Sequence, residues 1–150
     1  MKRIGYITIL LLLLGCSSTR NVTDKVAFDV VAFDKNIEWK LVKMNAREVD
    51  EAVNVTLRFN PETLNFNAFA GCNNVSGRYK VEPDRSVTSE YTSYRFSFSD
   101  ISRQKMQCPD NQMKFEGKFL AAMGKVNTCH LSAYELVLLQ NDRELLRFER

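Results

Sequence analysis

Apolar and polar residues alternate with a period of two through most of the chain after residue 37. In the clearest segment, Val53, Val55, Leu57 and Phe59 alternate with polar residues. Side chains of a strand point to opposite faces in turn, so this pattern predicts half-buried β-strands. The predicted strands are Trp39–Leu41, Val53–Phe59, Leu64–Ala68, Arg78–Val81, Tyr94–Phe98, Tyr134–Leu139 and Leu145–Phe148.

Turn-forming residues separate several of these predicted strands. The segments 60–63 and 141–142 are rich in Asn, Asp and Pro, which favour tight turns. They predict two hairpins, one on each side of their turn. The segment 82–84 contains Pro83 and predicts the end of the strand that begins at Arg78.

The segment Pro109–Met123 lacks this alternation and predicts a helix. Pro109 suits the beginning of a helix, and Gly124 stands where a C′ glycine ends one. An apolar face with helical spacing is expected to pack on the sheet. Its members are Met113, Gly117, Phe119, Leu120 and Met123. The sequence therefore predicts an α+β, mainly β fold: an antiparallel sheet with one helix.

The N-terminus has the order of features found in a bacterial lipoprotein signal peptide. Lys2 and Arg3 precede an apolar stretch at Ile4–Leu14, which is too short to span a bilayer as a helix. The following segment Leu13–Cys16 resembles the lipobox, in which the cysteine is acylated and becomes the mature N-terminus. We predict a signal peptide at residues 1–15 and lipidation at Cys16.

The residues after Cys16 predict a tether and a destination. Ser17 and Ser18 follow the cysteine, without the Asp that is associated with inner-membrane retention. The expected location is therefore the outer membrane of a Gram-negative bacterium, with the protein lipid-anchored on its periplasmic face. Residues 16–36 are assigned to the lipidated cysteine and tether, and residues 37–150 to one globular domain.

Composition limits the classes of partner. The 150-residue chain has 21 basic and 18 acidic residues, and removal of Lys2 and Arg3 with the signal peptide leaves 19 basic residues. A nearly neutral mature chain has no basic stripe with which to bind nucleic acid. The membrane is the expected partner through the lipid, together with an unidentified envelope protein.

Several elements in order resemble the META/HslJ domain family. The most specific is the loop Gly71–Cys72–Asn73, followed by Gly77 and Tyr79, and by a second cysteine, Cys108, before the helix. The resemblance extends over roughly residues 37–149. The other elements are Trp39–Leu41, Met106–Cys108, the helix with Glu116 and Leu120, Leu136–Leu138 and Leu145–Phe148.

The resemblance implies a fold, a cysteine pairing and a setting. The fold is a strongly curved, barrel-like sheet wrapped around a single helix, and the family pattern pairs Cys72 with Cys108. The alternative is that Cys72, Cys108 and Cys129 are reduced, buried thiols. The setting is a bacterial envelope lipoprotein linked to heat shock and novobiocin tolerance. The family supplies no catalytic residues and no cofactor, so we expect none.

Two kinds of chemical site were weighed against this. A zinc site of three cysteines and His130 is disfavoured, because zinc ligands occur in closely spaced pairs and these cysteines are 36 and 21 residues apart. A Cys129–His130 dyad is disfavoured because neighbours on a strand point to opposite faces. No metal and no catalytic residues are predicted, and an enzyme is the minority interpretation.

Two functions remain as hypotheses. The first is a non-catalytic interaction or stress-tolerance module of the envelope. The second is a carrier of an apolar ligand or lipid in a barrel pocket. The aromatic residues Tyr91, Tyr94, Phe96 and Phe98 are candidates to line such a pocket, although core packing explains them as well. The volume of the barrel interior distinguishes the two.

Overall fold

The computed structural model describes residues 33–87 and 90–150. The predicted signal peptide, Cys16 and most of the predicted tether lie outside these residues, so they stay predictions. Nine strands and one helix follow in chain order. They are β1 (Trp39–Met44), β2 (Arg47–Glu48), β3 (Val55–Asn60), β4 (Asn65–Ala70), β5 (Asn74–Val87), β6 (Thr92–Arg103), α1 (Asp110–Met123), β7 (Thr128–Leu131), β8 (Glu135–Gln140) and β9 (Arg143–Glu149).

The strands form one antiparallel sheet that closes on itself. Apart from β2, each strand pairs with the next along the chain, and β1 also pairs with β9, placing Leu41 opposite Phe148. The result is an eight-stranded, up-and-down barrel, to which β2 adds a short hairpin on β1. Closure leaves most strands with hydrogen-bonded neighbours on both sides. The predicted fold class, mainly β with a barrel-like sheet and one helix, is confirmed.

Alternate side chains of the strands fill the barrel. In β3, Val55, Leu57 and Phe59 are buried while Arg58 is exposed, as the period of two predicts. An aromatic cluster occupies part of the interior, with ring centroids 4.8–6.3 Å apart. Its members are Phe33, Phe59, Tyr79, Tyr94 and Phe96.

Phe33 lies in the stretch that the sequence assigns to the tether. Its ring is 5% exposed and stacks with Tyr79 and Phe96. The chain therefore contributes to the core at least four residues before the predicted domain boundary at residue 37. The boundary between tether and domain at residues closer to Cys16 stays a prediction.

The helix α1 contacts β4 and β9, which are separated in the barrel by β1 and β3. Its other side is exposed, so it lies across an opening of the barrel. The predicted apolar face is wrong in part, because Met113 is 42% exposed and Gly117 is also exposed. The side chains that α1 buries are those of Glu116, Phe119, Ala122 and Met123.

Gly124 ends the helix without the left-handed conformation expected of a C′ glycine. Its φ is −66° and its ψ is −11°, a right-handed conformation. Its backbone N–H donates to the carbonyl oxygen of Leu120 at 3.0 Å, which continues the helical bonding by one residue.

The predicted end of β5 near Pro83 is also wrong, because the strand continues to Val87. Pairing with β4 stops at Arg78. The backbone N–H of Tyr79 points away from β6, donating to the Leu64 oxygen at 3.0 Å. Backbone direction alternates along a strand, so the nitrogen of Pro83 also points away from β6, at an edge without a partner strand. The missing N–H of proline therefore costs no ladder hydrogen bond.

Gly77 is required where β5 approaches β6 most closely. A Cβ atom at this position would lie 2.7 Å from the backbone oxygen of Ser99 and 2.8 Å from the ring of Phe66. We expect Gly77→Ala to lower the free energy of unfolding by about 1–3 kcal/mol, because the strands must move apart. Chemical denaturation measures the change. In the exposed helix position Gly117, a Cβ meets no atom within 4 Å.

The matched control is therefore Gly117→Ala. It is expected to raise stability by up to about 1 kcal/mol, since alanine favours a helix more than glycine does. If both alanine variants proved as stable as the wild type, the close approach at Gly77 would not be a constraint on the fold.

Candidate functional site

The Gly71–Cys72–Asn73 loop joins β4 to β5. Gly71 has a φ of +85°, in the left-handed region that favours glycine. The turn is closed by the Ala70 N–H, which donates to the Asn73 oxygen at 3.0 Å. Cys72 forms a disulfide with Cys108, just before α1, with 6.1 Å between the Cα atoms. The loop is thus covalently attached to the segment that leads into the helix.

Asn73 and Glu116 form a buried polar pair next to the disulfide. The backbone N–H and the side-chain amide of Asn73 both donate to Glu116 Oε2, at 3.0 and 2.9 Å. The other amide atom, Asn73 Oδ1, accepts the backbone N–H of Met106 at 2.8 Å. A guanidinium nitrogen of Arg103 pairs with Glu116 Oε1. Four segments of chain therefore meet at one fully buried carboxylate.

Burial by itself raises the pKa of Glu116. The hydrogen bonds from Arg103 and from the side chain and backbone of Asn73 outweigh it and hold the pKa below its usual value. The carboxylate is therefore charged at neutral pH and all its strong donors come from structural neighbours. These contacts make it a structural group that ties α1 to the loop and to β6.

The surface beside this loop contains a groove of about 510 Å³ on the outer face of β3–β6, which we call the arginine groove. Arg58 and Arg103 lie in it. Between them run two adjacent cross-strand rows of outward side chains, in the register Thr56–Phe69–Asn74 and Arg58–Asn67–Ser76.

Contacts within the arginine groove orient its polar groups. Glu38 accepts Nε and Nη2 of Arg58 at 2.9 and 2.7 Å, and Glu116 accepts Nη1 of Arg103. The Asn74 amide donates to Gln104 Oε1 at 3.2 Å. The sequence presents these residues as an ordinary polar face. Only the strand register shows that they are neighbours, so sequence reasoning missed this site.

His130 lies in a second groove, of about 390 Å³, on the outer face of β7–β9. Its ring stacks on Tyr91 with 4.0 Å between centroids. Ser132 and Asp142 line the same groove, but the Ser132 hydroxyl is engaged in a turn with the backbone of Tyr134 and Glu135. A serine held in this way is not oriented for activation by the histidine.

Cys129 points to the opposite face of β7 from His130, as expected for neighbours on a strand. It is fully buried as a free cysteine, and burial raises the pKa of its thiol well above the usual value. Such a thiol is a poor nucleophile. Cys72 and Cys108 are joined to each other, which leaves neither as a thiolate ligand.

Burial lowers the pKa of His130, and the nearby Asp142 offsets only part of that effect. The unfolded chain therefore takes up the proton first, at about pH 6.5. We expect the free energy of unfolding to fall as the pH decreases from about 6.5 to the lower pKa of the folded protein. Denaturation between pH 5 and 8 measures this step. His130 is the only histidine, so His130→Gln should remove the step, and an unchanged step would contradict its assignment.

The aromatic residues proposed for a ligand pocket have different places. Tyr94 and Phe96 are in the core, Phe98 packs against the core, and Tyr91 contacts His130 on the outer surface. The interior positions are thus used for packing among side chains, and the two larger grooves open on the outside.

Metal ligands and membrane spans were considered for residues 33–87 and 90–150. In these ranges, no three His, Cys, Asp or Glu side chains are grouped closely enough to hold a metal ion. The helix of the described part lacks the length and apolar composition needed to cross a bilayer.

The closed barrel, the single helix across its opening and the disulfide-bonded Gly–Cys–Asn loop define a single barrel domain. The META domain family matches residues 32–150. The chain belongs to the META domain family, which confirms the resemblance found in the sequence.

Two solved structures share the fold. One is an NMR structure of a protein from Burkholderia xenovorans, with a TM-score of 0.58 and 20% sequence identity over 83% of this chain and 86% of that one. The other NMR structure has a TM-score of 0.52 and 14% identity, covering 77% of this chain and 89% of that one. No curated protein matches the chain at a significant level. The similarity to the two structures supports the fold alone.

Proposed function

We propose that this META-domain protein is an outer-membrane lipoprotein, anchored through Cys16, whose barrel is a non-catalytic interaction module facing the periplasm. The observation that carries the proposal is the order of basic residues, short apolar stretch and lipobox at Lys2–Cys16. A diacylglyceryl group together with a further acyl chain provides firm anchorage, whereas a single chain provides little.

The disulfide between Cys72 and Cys108 supports an oxidising compartment, since disulfides persist in the periplasm and are rare in the cytosol. The packed interior supports an interaction module over the carrier of an apolar ligand. The buried carboxylate, the buried thiol and the engaged serine all have structural contacts, which supports a non-catalytic role. A contribution to heat-shock or novobiocin tolerance is part of the proposal, through the family resemblance.

Membrane fractionation with a matched pair of cysteine variants tests the anchor. The full chain is produced in a Gram-negative host, and inner and outer membranes are separated on a density gradient. We expect the wild type in the outer membrane and Cys16→Ser in the inner-membrane fraction with its signal peptide uncut, because the acylated thiol is absent. The control Ser17→Ala should behave as the wild type. A Cys16→Ser protein that still reached the outer membrane would refute lipid anchoring at this residue.

A further inference from the structure

The arginine groove combines side chains that suit one chemical class of ligand. Its floor carries amide and hydroxyl groups from Asn67, Asn74 and Ser76, in the rows described above. Cross-strand neighbours on one face lie about 5 Å apart, which is the spacing of vicinal groups along a sugar chain. Amides and guanidinium groups bind pairs of hydroxyls by donating and accepting at two points.

Charge gives the groove a sign. None of the described residues that line it is an aspartate or glutamate, whereas Arg58 and Arg103 both do. Glu38 and Glu116 hold the two guanidinium groups from the side, and these pairings leave Nη1 of Arg58 and Nη2 of Arg103 for a ligand. Fixed guanidinium groups recognise carboxylates with little loss of side-chain entropy.

The ring of Phe69 adds an apolar surface to the polar floor. It lies between Thr56 and Asn74 and is only partly buried, although it points away from the core. A partly exposed ring among amide groups offers a flat surface for the C–H side of a sugar ring. This is the only aromatic residue among those that line the groove.

The position of the groove in the sheet argues against an extended peptide. It lies on the face of β3–β6, where the backbone groups are engaged in pairing between successive strands. A peptide that binds by strand addition needs a free edge, and a helix needs an apolar groove. Recognition here depends on side chains, and these are mostly polar and uncharged.

From this arrangement we propose that the arginine groove binds an acidic oligosaccharide, with carboxylates at Arg58 and Arg103 and a sugar ring against Phe69. The inference rests on the proposed function, because it names the class of partner for the interaction module. Two envelope sources have this chemistry: cell-wall glycan with lactyl carboxylates, and acidic polysaccharide with uronic acids.

Calorimetry with the full chain in detergent tests the proposal. Two acidic probes are tetrasaccharides in which N-acetylglucosamine alternates with N-acetylmuramic acid or with glucuronic acid. The neutral probe is a tetrasaccharide of N-acetylglucosamine, and hexaglutamate represents an acidic peptide. We expect saturable binding of at least one acidic sugar and about tenfold weaker binding of the neutral one, since a charged hydrogen bond is lost. The tighter acidic probe identifies the source.

Matched variants locate the binding site. Arg58→Gln and Asn67→Leu each change an exposed side chain and are expected to weaken binding about tenfold. Arg95→Gln removes another exposed, ion-paired arginine outside the groove and should bind as the wild type does.

Four results would overturn the inference: no binding of either acidic sugar, equal binding of the neutral sugar, equal binding of hexaglutamate, or unchanged binding by both groove variants. The assay does not depend on the lipid. A negative result with a correctly anchored protein therefore rejects the ligand class alone, and binding by a protein without an anchor rejects the location alone.

Discussion

Replacement of both Cys72 and Cys108 by alanine is expected to lower the free energy of unfolding by about 4 kcal/mol. The disulfide closes a loop with a sequence separation of 36 residues, and without it the unfolded chain has more conformations to lose on folding. A loss of this size is a large part of the stability of a domain of this length. Chemical denaturation of the double variant and the wild type measures the difference.

A reducing agent provides the control for this pair. Reduction should destabilise the wild type by a similar amount and leave the double alanine variant unchanged, because the variant has no bond to reduce. Equal stability of the oxidised wild type and the variant would contradict the assigned role of the disulfide.

The Glu116→Ala variant is expected to lose about 3–5 kcal/mol, the range for breaking a buried ion pair by removing one partner. The carboxylate is fully buried and accepts hydrogen bonds from Asn73 and Arg103. Its removal leaves the Asn73 backbone N–H and amide without their acceptor and leaves a cavity beside Phe119. Denaturation at pH 7 measures the loss.

An exposed glutamate gives the matched control. Glu48 pairs with Lys43 on the surface, and Glu48→Ala should cost less than about 1 kcal/mol. If the two alanine variants lost equal stability, Glu116 would not be the centre of a buried network.

The same carboxylate makes stability depend on acid. Because its folded pKa is below the usual value, the unfolded chain takes up the proton first. The stabilisation is complete above about pH 4.3, the ordinary glutamate value, and is lost as the pH falls through the lower folded pKa. Glu116→Gln should lack this part of the acid dependence.

The alternation of apolar and polar residues locates most strands because each has one face in the core and one in solvent. The prediction omits β7, which has four residues and only Cys129 and Leu131 buried. Two buried positions are too few to establish a period. β5 was predicted too short, because the sequence does not show that its edge beyond Arg78 is unpaired.

The helix shows why a buried charge cannot be found from hydropathy. The spacing of apolar residues selected Met113 and excluded Glu116, whereas the structure exposes the first and buries the second. Burial of the carboxylate depends on Asn73, 43 residues earlier, and on Arg103. Partners so distant in sequence come together only when the barrel closes.

The candidate site was predictable in one part and not in the other. Gly71, Cys72, Asn73 and Gly77 form a sequence motif, and the structure gives each a local role in the loop or in strand contact. The arginine groove has no motif, because its residues come from four strands and meet only through their register.

The central claim is that this META-domain chain is a lipid-anchored protein of an oxidising compartment. The most direct test is the intact mass of the full-length gene product purified from membranes, measured with and without a reducing agent. The account predicts the mass of residues 16–150 plus acyl chains, with a gain of two hydrogens on reduction. A mass that retains residues 1–15 or lacks acyl chains would contradict the anchor, and three free thiols before reduction would contradict the disulfide.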